Sequence, residues 1–105
     1  MAKYLNVAGS DGVDVELLAP GDYGAIRSII ITNTAGSAGT ASLFIQKRPL
    51  NSAVITYYIT KNLSIPVAAS FIVDNKDLLS FNNSADGFGV YMTVGGSDTF
   101  DVIIS

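Results

Sequence analysis

The stretch from Ile26 to Lys47 has the sequence IRSIIITNTAGSAGTASLFIQK, and it decides the fold class. Two segments rich in β-branched and aromatic residues, which favour extended strands, flank a loop of small residues at positions 34–39. Leu43 and Ile45 alternate with their neighbours, as in a strand with one inward face. The isoleucines at positions 29–31 are apolar on both faces, which is typical of a central strand. We predict that the two segments form a β-hairpin.

The same pattern extends along the chain. Gly, Asn, Asp, Ser and Pro recur about every eight to twelve residues and separate runs rich in Ile, Val, Thr, Phe and Tyr, a spacing typical of sandwiches and barrels. The candidate strands are Lys3–Val7, Val13–Leu18, Ile26–Asn33, Thr40–Lys47, Val54–Thr60, Leu63–Val67, Ser70–Asp74, Leu78–Phe81, Phe88–Val94 and Thr99–Ile104.

From these ten candidate segments we predict eight or nine strands and no helix in a single all-β domain that covers residues 1–105. Pro66 confines the segment Leu63–Val67 to an edge strand or an irregular segment, because proline lacks an amide donor. Phe88–Val94 and Thr99–Ile104 are expected to form a final hairpin around a Gly-Gly-Ser-Asp turn. The predicted architecture is a two-sheet antiparallel β-sandwich in jelly-roll or other Greek-key order, and a closed barrel is the alternative.

The alternation also predicts the core. The residues expected to be mostly buried are Ile29, Ile31, Leu43, Ile45, Phe71, Val73, Val90, Val102 and Ile104. Because side chains alternate with a period of two, a register error of one residue would turn such a set outward. Neighbouring aliphatics such as Leu78-Leu79 and Ile103-Ile104 predict that some apolar side chains face outward.

The chain is poor in charge. Hydrophobic residues make up 49% of it and charged residues 14%, whereas about a quarter is typical. A small monomer needs charged side chains to solvate its surface, so this shortage predicts that part of the surface is buried against another chain. The net charge is −3 and the six basic residues are scattered, which argues against nucleic-acid binding because that needs a dense basic patch.

The sequence gives no sign of secretion or of a membrane span. Its first residues lack the apolar segment of a signal peptide, and no apolar run approaches the roughly 20 residues of a membrane helix. The absence of cysteine fits a reducing cytosol or a particle assembled there. We therefore expect no membrane partner.

Residue types restrict the possible chemistry. The chain has no histidine and no cysteine, which excludes Ser-His-Asp and Cys-His nucleophiles and the common zinc and non-haem iron sites. Asp14 and Glu16 share a strand face expected to be solvated, and Asp74 and Asp77 bracket a turn. Two groups offer oxygen ligands for calcium: Asp11, Asp14 and Glu16, and the turn residues Asp74, Asn75 and Asp77. Neither group matches the spacing of an EF-hand loop. We expect no catalytic centre, no cofactor and no required metal.

Four residues are candidates for contacts with a partner. Tyr57 and Tyr58 are neighbours on a predicted strand, so one is expected in the core and the other outward. An outward tyrosine can anchor a protein interface, stack on a sugar or pack against a neighbouring strand. Lys47 and Arg48 end a strand before Pro49, where they can pair with an acidic partner chain or remain solvated.

From Ile26 onward the order of features resembles small β-sandwich virion structural proteins of tailed bacteriophages, including those of marine cyanobacteria. The resemblance covers roughly four-fifths of the chain and rests on the patterning of the segments IRSIIITNT (26–34), TASLFI (40–45), IPVAASFIVD (65–74), LLSFNN (78–83), FGVYMTV (88–94) and DVII (101–104). Members of such families serve as capsid decoration (cement) proteins or as tail and neck accessories. The resemblance supplies no site residues.

The resemblance implies a virion structural protein that is assembled in the host cytoplasm. The first expectation is a capsid decoration protein that binds the assembled shell, with the major capsid protein or another virion protein as its partner. A homo-oligomer is expected, first of all a trimer, because capsid lattices offer threefold positions. A tail or neck accessory, a receptor-binding component and a carbohydrate-binding module are the alternatives, and an enzyme is not expected.

Overall fold

The computed structural model describes residues 3–9, 14–21, 25–49, 52–96 and 98–105, which form eight strands in two sheets. The described residues contain no helix, so the all-β prediction is confirmed. The strands are β1 (Lys3–Ala8), β2 (Asp14–Leu18), β3 (Ile29–Asn33), β4 (Gly39–Lys47), β5 (Ile55–Ile65), β6 (Ser70–Val73), β7 (Gly89–Val94) and β8 (Thr99–Ile104). Val13, the predicted first residue of the second strand, lies outside the described residues.

The strand order is that of a jelly roll. Sheet A has the order β1-β8-β3-β6 and sheet B the order β2-β7-β4-β5. The nested antiparallel pairs β1–β8, β2–β7, β3–β6 and β4–β5 are those of one long hairpin that is folded over on itself. Each sheet ends in two edge strands, so the predicted sandwich is confirmed and the alternative of a closed barrel is wrong.

Two predicted hairpins are wrong. β3 and β4 are joined by the small-residue loop at 34–38 but lie in different sheets, and the same is true of β7 and β8. Turn residues show where the chain reverses, but they do not show whether it returns to the same sheet. Asp98 holds these crossings together: its Oδ2 accepts from the Thr40 amide at 3.0 Å, and its carbonyl accepts from the Gly9 amide at 2.8 Å. A Cβ on Gly9 would lie 2.0 Å from the carbonyl oxygen of Gly95, so this approach requires glycine.

β5 is longer than predicted and spans the 11 residues Ile55–Ile65. The sequence predicted two segments, Val54–Thr60 and Leu63–Val67, because a polar Lys-Asn pair separates them. The strand instead continues through this pair with shifts in its register against β4. Asn62 takes a left-handed conformation with φ of 52°, which asparagine adopts more readily than most residues. Pro66 follows the end of the strand, where its missing amide donor is not needed.

The predicted strand Leu78–Phe81 is instead part of a turn. The Leu79 amide donates to the Asn75 carbonyl at 3.1 Å, as in a single helical turn. The Asn75 Oδ1 also accepts from the Asp77 amide at 3.0 Å, so Asn75, which lies between the two predicted turn residues Asp74 and Asp77, forms an Asx-type turn. Leu79 is part of the core, whereas Leu78 is exposed.

A single apolar layer lies between the sheets. Seven of the nine predicted core residues are buried, and Ile45 and Phe71 are partly buried against them. Burial of each large aliphatic side chain contributes about 1.5–3 kcal/mol. The buried cluster consists of Val7, Leu17, Leu18, Ile26, Ile29, Ile31, Ala41, Leu43, Ile65, Val73, Leu79, Val90, Met92, Val94, Phe100, Val102 and Ile104.

One buried polar side chain links the two sheets. Asn33, at the end of β3, is almost fully buried. Its Nδ2 donates to the carbonyl oxygens of Ser37 at 3.0 Å and of Ile65 in β5 at 2.9 Å, and its Oδ1 accepts from the Ala35 amide at 2.9 Å. The carboxamide therefore satisfies main-chain groups of the loop and of the opposite sheet that would otherwise lack partners.

Replacement of Ile31 by alanine tests the inward face of β3. Ile31 is fully buried, so Ile31→Ala should lower the free energy of unfolding by about 2–5 kcal/mol. Ile30→Ala, on the outer face of the same strand, should cost about 1 kcal/mol or less, because it removes only cross-strand contacts. Urea unfolding followed by circular dichroism measures both values. Equal losses in the two variants would contradict this orientation of β3.

Replacement of Asn33 by alanine tests the link between the sheets. Asn33→Ala leaves three main-chain groups without the carboxamide and should lower the free energy of unfolding by about 2–4 kcal/mol. Asn6→Ala is the control, since Asn6 makes an exposed hydrogen bond to Asp101 and its loss should change stability by about 0.5 kcal/mol or less. The bridging role is wrong if the two asparagine variants unfold at the same urea concentration.

Candidate interaction surfaces

A row of apolar side chains crosses the outer face of sheet A. The register aligns Tyr4 with Ile103, Ile103 with Ile30, and Ile30 with Ile72, so one side chain from each of the four strands stands side by side. Tyr4 is 73% exposed, Ile72 56% and Ile103 36%, and Ile30 is half-buried between its neighbours. We call these four residues the apolar row. With strands about 4.8 Å apart, its backbone positions span roughly 14 Å.

A polar row runs beside the apolar row. The next register positions on the same face are Asn6, Asp101, Thr32 and Ser70. Asn6 Nδ2 donates to Asp101 Oδ1 at 2.6 Å, and the hydroxyls of Thr32 and Ser70 lie 2.7 Å apart. Asp101 is the one acidic or basic residue among these eight positions, and it is already hydrogen-bonded. The face is therefore apolar at its centre and nearly free of charge beside it.

The outer face of sheet B is built differently, because its aromatic side chains cover one another. Phe44 and Tyr91 lie on this side and yet are 2% and 3% exposed. The ring centroid of Phe44 lies 5.1 Å from that of Tyr58 and 6.1 Å from that of Tyr91. The Arg48 guanidinium is 4.4 Å from the Tyr91 centroid, and the Lys61 ammonium is 5.0 Å from the Tyr58 centroid. Both distances are typical of cation–π contacts. We call Tyr58, Phe44 and Tyr91 the aromatic line.

Polar side chains around the aromatic line bond to one another. Arg48 donates from Nε and Nη2 to Gln46 Oε1 at 3.0 and 2.7 Å, and Gln46 Nε2 donates to Thr56 Oγ1 at 3.1 Å. The Tyr91 hydroxyl donates to Glu16 Oε2 at 3.1 Å. These hydrogen bonds occupy the side-chain donors and acceptors that a polar ligand would need for its own hydrogen bonds. The outer face of sheet B therefore has the character of a solvated surface.

The two carboxylates of β2 belong to this solvated surface, as the sequence predicted. Asp14 and Glu16 are both exposed. Each accepts a hydrogen bond from a hydroxyl of β7, Asp14 from Thr93 at 2.9 Å and Glu16 from Tyr91. The pair therefore strengthens the contact between β2 and β7.

The environment of Tyr91 changes its acidity. Burial raises the pKa of Tyr91 above the ordinary value of 10.0, because the phenolate would lose hydration. The hydrogen bond to Glu16 and the negative charges of Glu16 and Asp14 raise the pKa further, whereas the Arg48 guanidinium lowers it.

Tyr57 and Tyr58 do not divide between core and surface as predicted. Tyr57 is 60% exposed and Tyr58 50%. Both lie on β5, an edge strand of sheet B, which has no further strand beside it among the described residues. The Tyr57 ring lies 5.9 Å from that of Phe88, which lies 6.4 Å from that of Phe81. Tyr58 instead joins the aromatic line, so the two tyrosines serve different surfaces.

Lys47 and Arg48 line a common open cavity of about 420 Å³. Its other lining residues are Pro20, Pro49, Ala85, Asp86 and Gly87. Arg48 is committed to Gln46 and to the Tyr91 ring, and Asp86 is the acidic residue of the same lining. Of the four residues singled out from the sequence, the structure thus brings Arg48 and Tyr58 to one face, places Lys47 beside Arg48 and leaves Tyr57 apart.

The metal candidates do not assemble into a site in the described part of the chain. No group of three or more acidic side chains that could hold a metal ion occurs there. Asp11, the first of the calcium candidates, lies outside the described residues. The Asn75 Oδ1 of the second candidate accepts amide hydrogens of its own turn. The described residues also contain no helix long and apolar enough to cross a membrane.

Comparison of the chain with protein-family models, with curated proteins and with solved structures found no match in any of the three.

The raised pKa of Tyr91 predicts a loss of stability at high pH. The unfolded chain releases this proton near pH 10, whereas the folded protein retains it. The free energy of unfolding should therefore fall as the pH rises from about 10 through the folded pKa. Tyr91→Phe should reduce this fall, and at neutral pH it should cost about 0.5–1.5 kcal/mol for the lost bond to Glu16. Urea unfolding at a series of pH values measures both effects. Parallel pH profiles for the variant and the native protein would contradict the assignment.

Proposed function

We propose that this chain is a virion structural protein, specifically a capsid decoration (cement) protein, that binds the assembled shell through the apolar row on sheet A. The observation that carries the proposal is the alignment of Tyr4, Ile103, Ile30 and Ile72 across all four strands of one outer face. An exposed apolar centre beside hydrogen-bonded polar groups is the composition of a protein–protein interface. The choice of the capsid shell as the partner comes from the resemblance to phage virion proteins.

The outer faces of the two sheets differ in charge, and this difference indicates which face of the bound subunit lies against the shell. Arg48, Lys61, Asp14 and Glu16 lie on the outer face of sheet B, together with the internally bonded polar network. The outer face of sheet A carries the apolar row and the bonded carboxylate of Asp101. We therefore assign sheet A to the shell and sheet B to the solvent.

The mode of action is stabilisation by mass action. A subunit that binds the assembled shell more tightly than free capsid protein shifts the equilibrium toward the shell. At a free concentration of about 100 times the Kd, this stabilisation is about 2.7 kcal/mol for each occupied site. Such binding needs no reacting group, which agrees with a chain that has neither histidine nor cysteine.

Jelly rolls are common among viral capsid proteins and also among lectins, so the fold by itself does not choose between these functions. The carbohydrate-binding alternative is less well supported. Phe44 and Lys61 both contact the Tyr58 ring, and the polar groups nearby bond to one another. A tail or neck accessory would use the same apolar row with a different virion partner.

Binding to empty shells tests the proposal. Shells of the same virus, prepared without this protein, are incubated with native protein, Ile72→Glu or Leu78→Glu, and the bound fraction is measured by co-sedimentation. Both positions hold exposed aliphatic side chains, so each variant adds one charge at a solvent-exposed position, Ile72→Glu on the apolar row and Leu78→Glu in a turn outside it. Ile72→Glu should weaken binding at least about ten-fold, because a buried unpaired carboxylate is costly. Leu78→Glu should bind like the native protein.

Copy number in intact particles separates the capsid assignment from the alternatives. A decoration protein is present in hundreds of copies, whereas a tail or neck component is present in a handful. Failure of the native protein to bind shells, or equal binding by Ile72→Glu and Leu78→Glu, would show that the apolar row does not dock on the capsid.

A further inference from the structure

The free edge of β5 differs from the other edges of the two sheets. Within the described residues, β5 pairs with β4 on one side and has no strand on the other. Unpaired edges attract other strands, and proteins protect them with charge or by keeping them short. β1 carries Lys3, β2 carries Asp14 and Glu16, and β6 has only four residues. β5 has neither protection over its first half.

The segment of residues 52–60, which leads into β5 and includes its first half, combines exposed apolar side chains with an absence of charge. Residues 52–60 include no acidic and no basic residue. Val54 is 53% exposed and Ile55 39%, and both tyrosines that follow are exposed. A segment of high β-propensity, without charge or proline, pairs readily with a copy of itself. A charged partner strand would find no opposite charge on this edge, whereas a second copy brings the same uncharged segment of high β-propensity, so the composition favours a second copy.

We propose that two copies of this chain pair through their β5 strands, antiparallel, about a twofold axis beside Thr56. This register places Ile55 opposite Tyr57 of the second copy and Val54 opposite Tyr58 of the second copy. Pairs of an aromatic with a β-branched residue are among the favourable cross-strand combinations. The twofold axis repeats both contacts on its other side. The exposed side chains of Val54, Ile55, Tyr57 and Tyr58 therefore all find a partner in the second copy.

The structure of β5 limits the pairing to its first half. The register against β4 is regular from Ile55 to Tyr58 and shifts beyond that point. Asn62 has a left-handed conformation, and the Lys61 ammonium lies over the Tyr58 ring. A twofold contact also closes on itself, because each copy uses its one free β5 edge. The product is a dimer and not a filament.

The proposed pairing replaces the trimer that the phage resemblance implies. A closed trimer needs a contact between two different surfaces of each chain, whereas β5 offers a surface that fits itself. The dimer does not depend on the proposed binding to capsids, since it uses a different sheet. The dimer would nevertheless affect shell binding. Antiparallel pairing about an axis perpendicular to sheet B places the apolar rows of both copies on the same side of the dimer.

A single introduced cysteine tests the register. The native chain has no cysteine, so any disulfide must join introduced residues. In the proposed dimer the Thr56 Cα atoms of the two copies are about 4.5–5.5 Å apart, within the disulfide range of about 4.4–6.8 Å. The Thr60 Cα atoms are roughly 26 Å apart. Thr60 is partly buried like Thr56, so Thr60→Cys is a matched control.

Thr56→Cys at micromolar concentration should form a disulfide-linked dimer on mild oxidation on the order of a hundred-fold faster than Thr60→Cys, because pairing raises the effective concentration to the millimolar range. Equal rates at the two positions would overturn the register. Since cysteine at position 56 removes the bond from Gln46, circular dichroism melting checks that the variant is folded.

Sedimentation equilibrium provides a test without cysteine. The native protein should be a dimer at high micromolar concentration, and Tyr57→Lys should be a monomer, because it places an unpaired ammonium against the partner strand. Tyr4→Lys makes the same change on sheet A and should remain a dimer. A native protein that is monomeric under these conditions, or a dimeric Tyr57→Lys, would overturn the pairing. Shell binding by Tyr57→Lys reports separately on the proposed function, since its apolar row is intact.

Discussion

The structure depends on one constraint: two four-stranded sheets share a single interior from which water is excluded. A strand offers every second side chain to that interior, so half of its residues must face outward. Nearly half of this chain is hydrophobic, whereas the buried cluster takes up 17 residues of the described part of the chain. The surplus collects on the outer face of sheet A and on the free edge of β5. The scarce charges collect instead around the aromatic line of sheet B, where they cover rings that would otherwise be wet.

Local patterns in the sequence were sufficient for the class of fold and most of the core. Ile29, Ile31, Val102 and Ile104 could be assigned to the interior because alternation is a property of each strand alone. The pairing of strands could not be predicted, since a glycine-rich loop looks the same whether it closes a hairpin or crosses between sheets. The continuity of β5 was missed for a related reason. A polar pair inside a strand resembles a loop unless the register of the neighbouring strand is known.

The candidate surfaces show the same division between local and distant information. The sequence indicates Tyr57 and Tyr58 as an aromatic pair on a predicted strand, and Lys47 and Arg48 as basic residues at a strand end. The apolar row was not found, because its members come from both ends and the middle of the chain and meet only through the register of β1, β8, β3 and β6. Asn33 was likewise assigned to a strand end, and its acceptor Ile65 lies 32 residues away. Alternation did indicate that some aliphatics must face outward.

The pairing of β1 with β8 has a practical consequence for protein engineering. Lys3 and Ile104 are cross-strand partners, so tags or fused domains at either end would emerge from one corner, next to Tyr4 and Ile103. Such additions would crowd the face that we assign to the shell. Gly36, in the loop at 34–38, is a better place for foreign peptides, because a side chain added there meets no atom within 4 Å and the Asn33 carboxamide bonds to Ser37 and Ala35 and not to Gly36. If the chain decorates a particle as we propose, an epitope inserted at Gly36 would be displayed once for every bound copy.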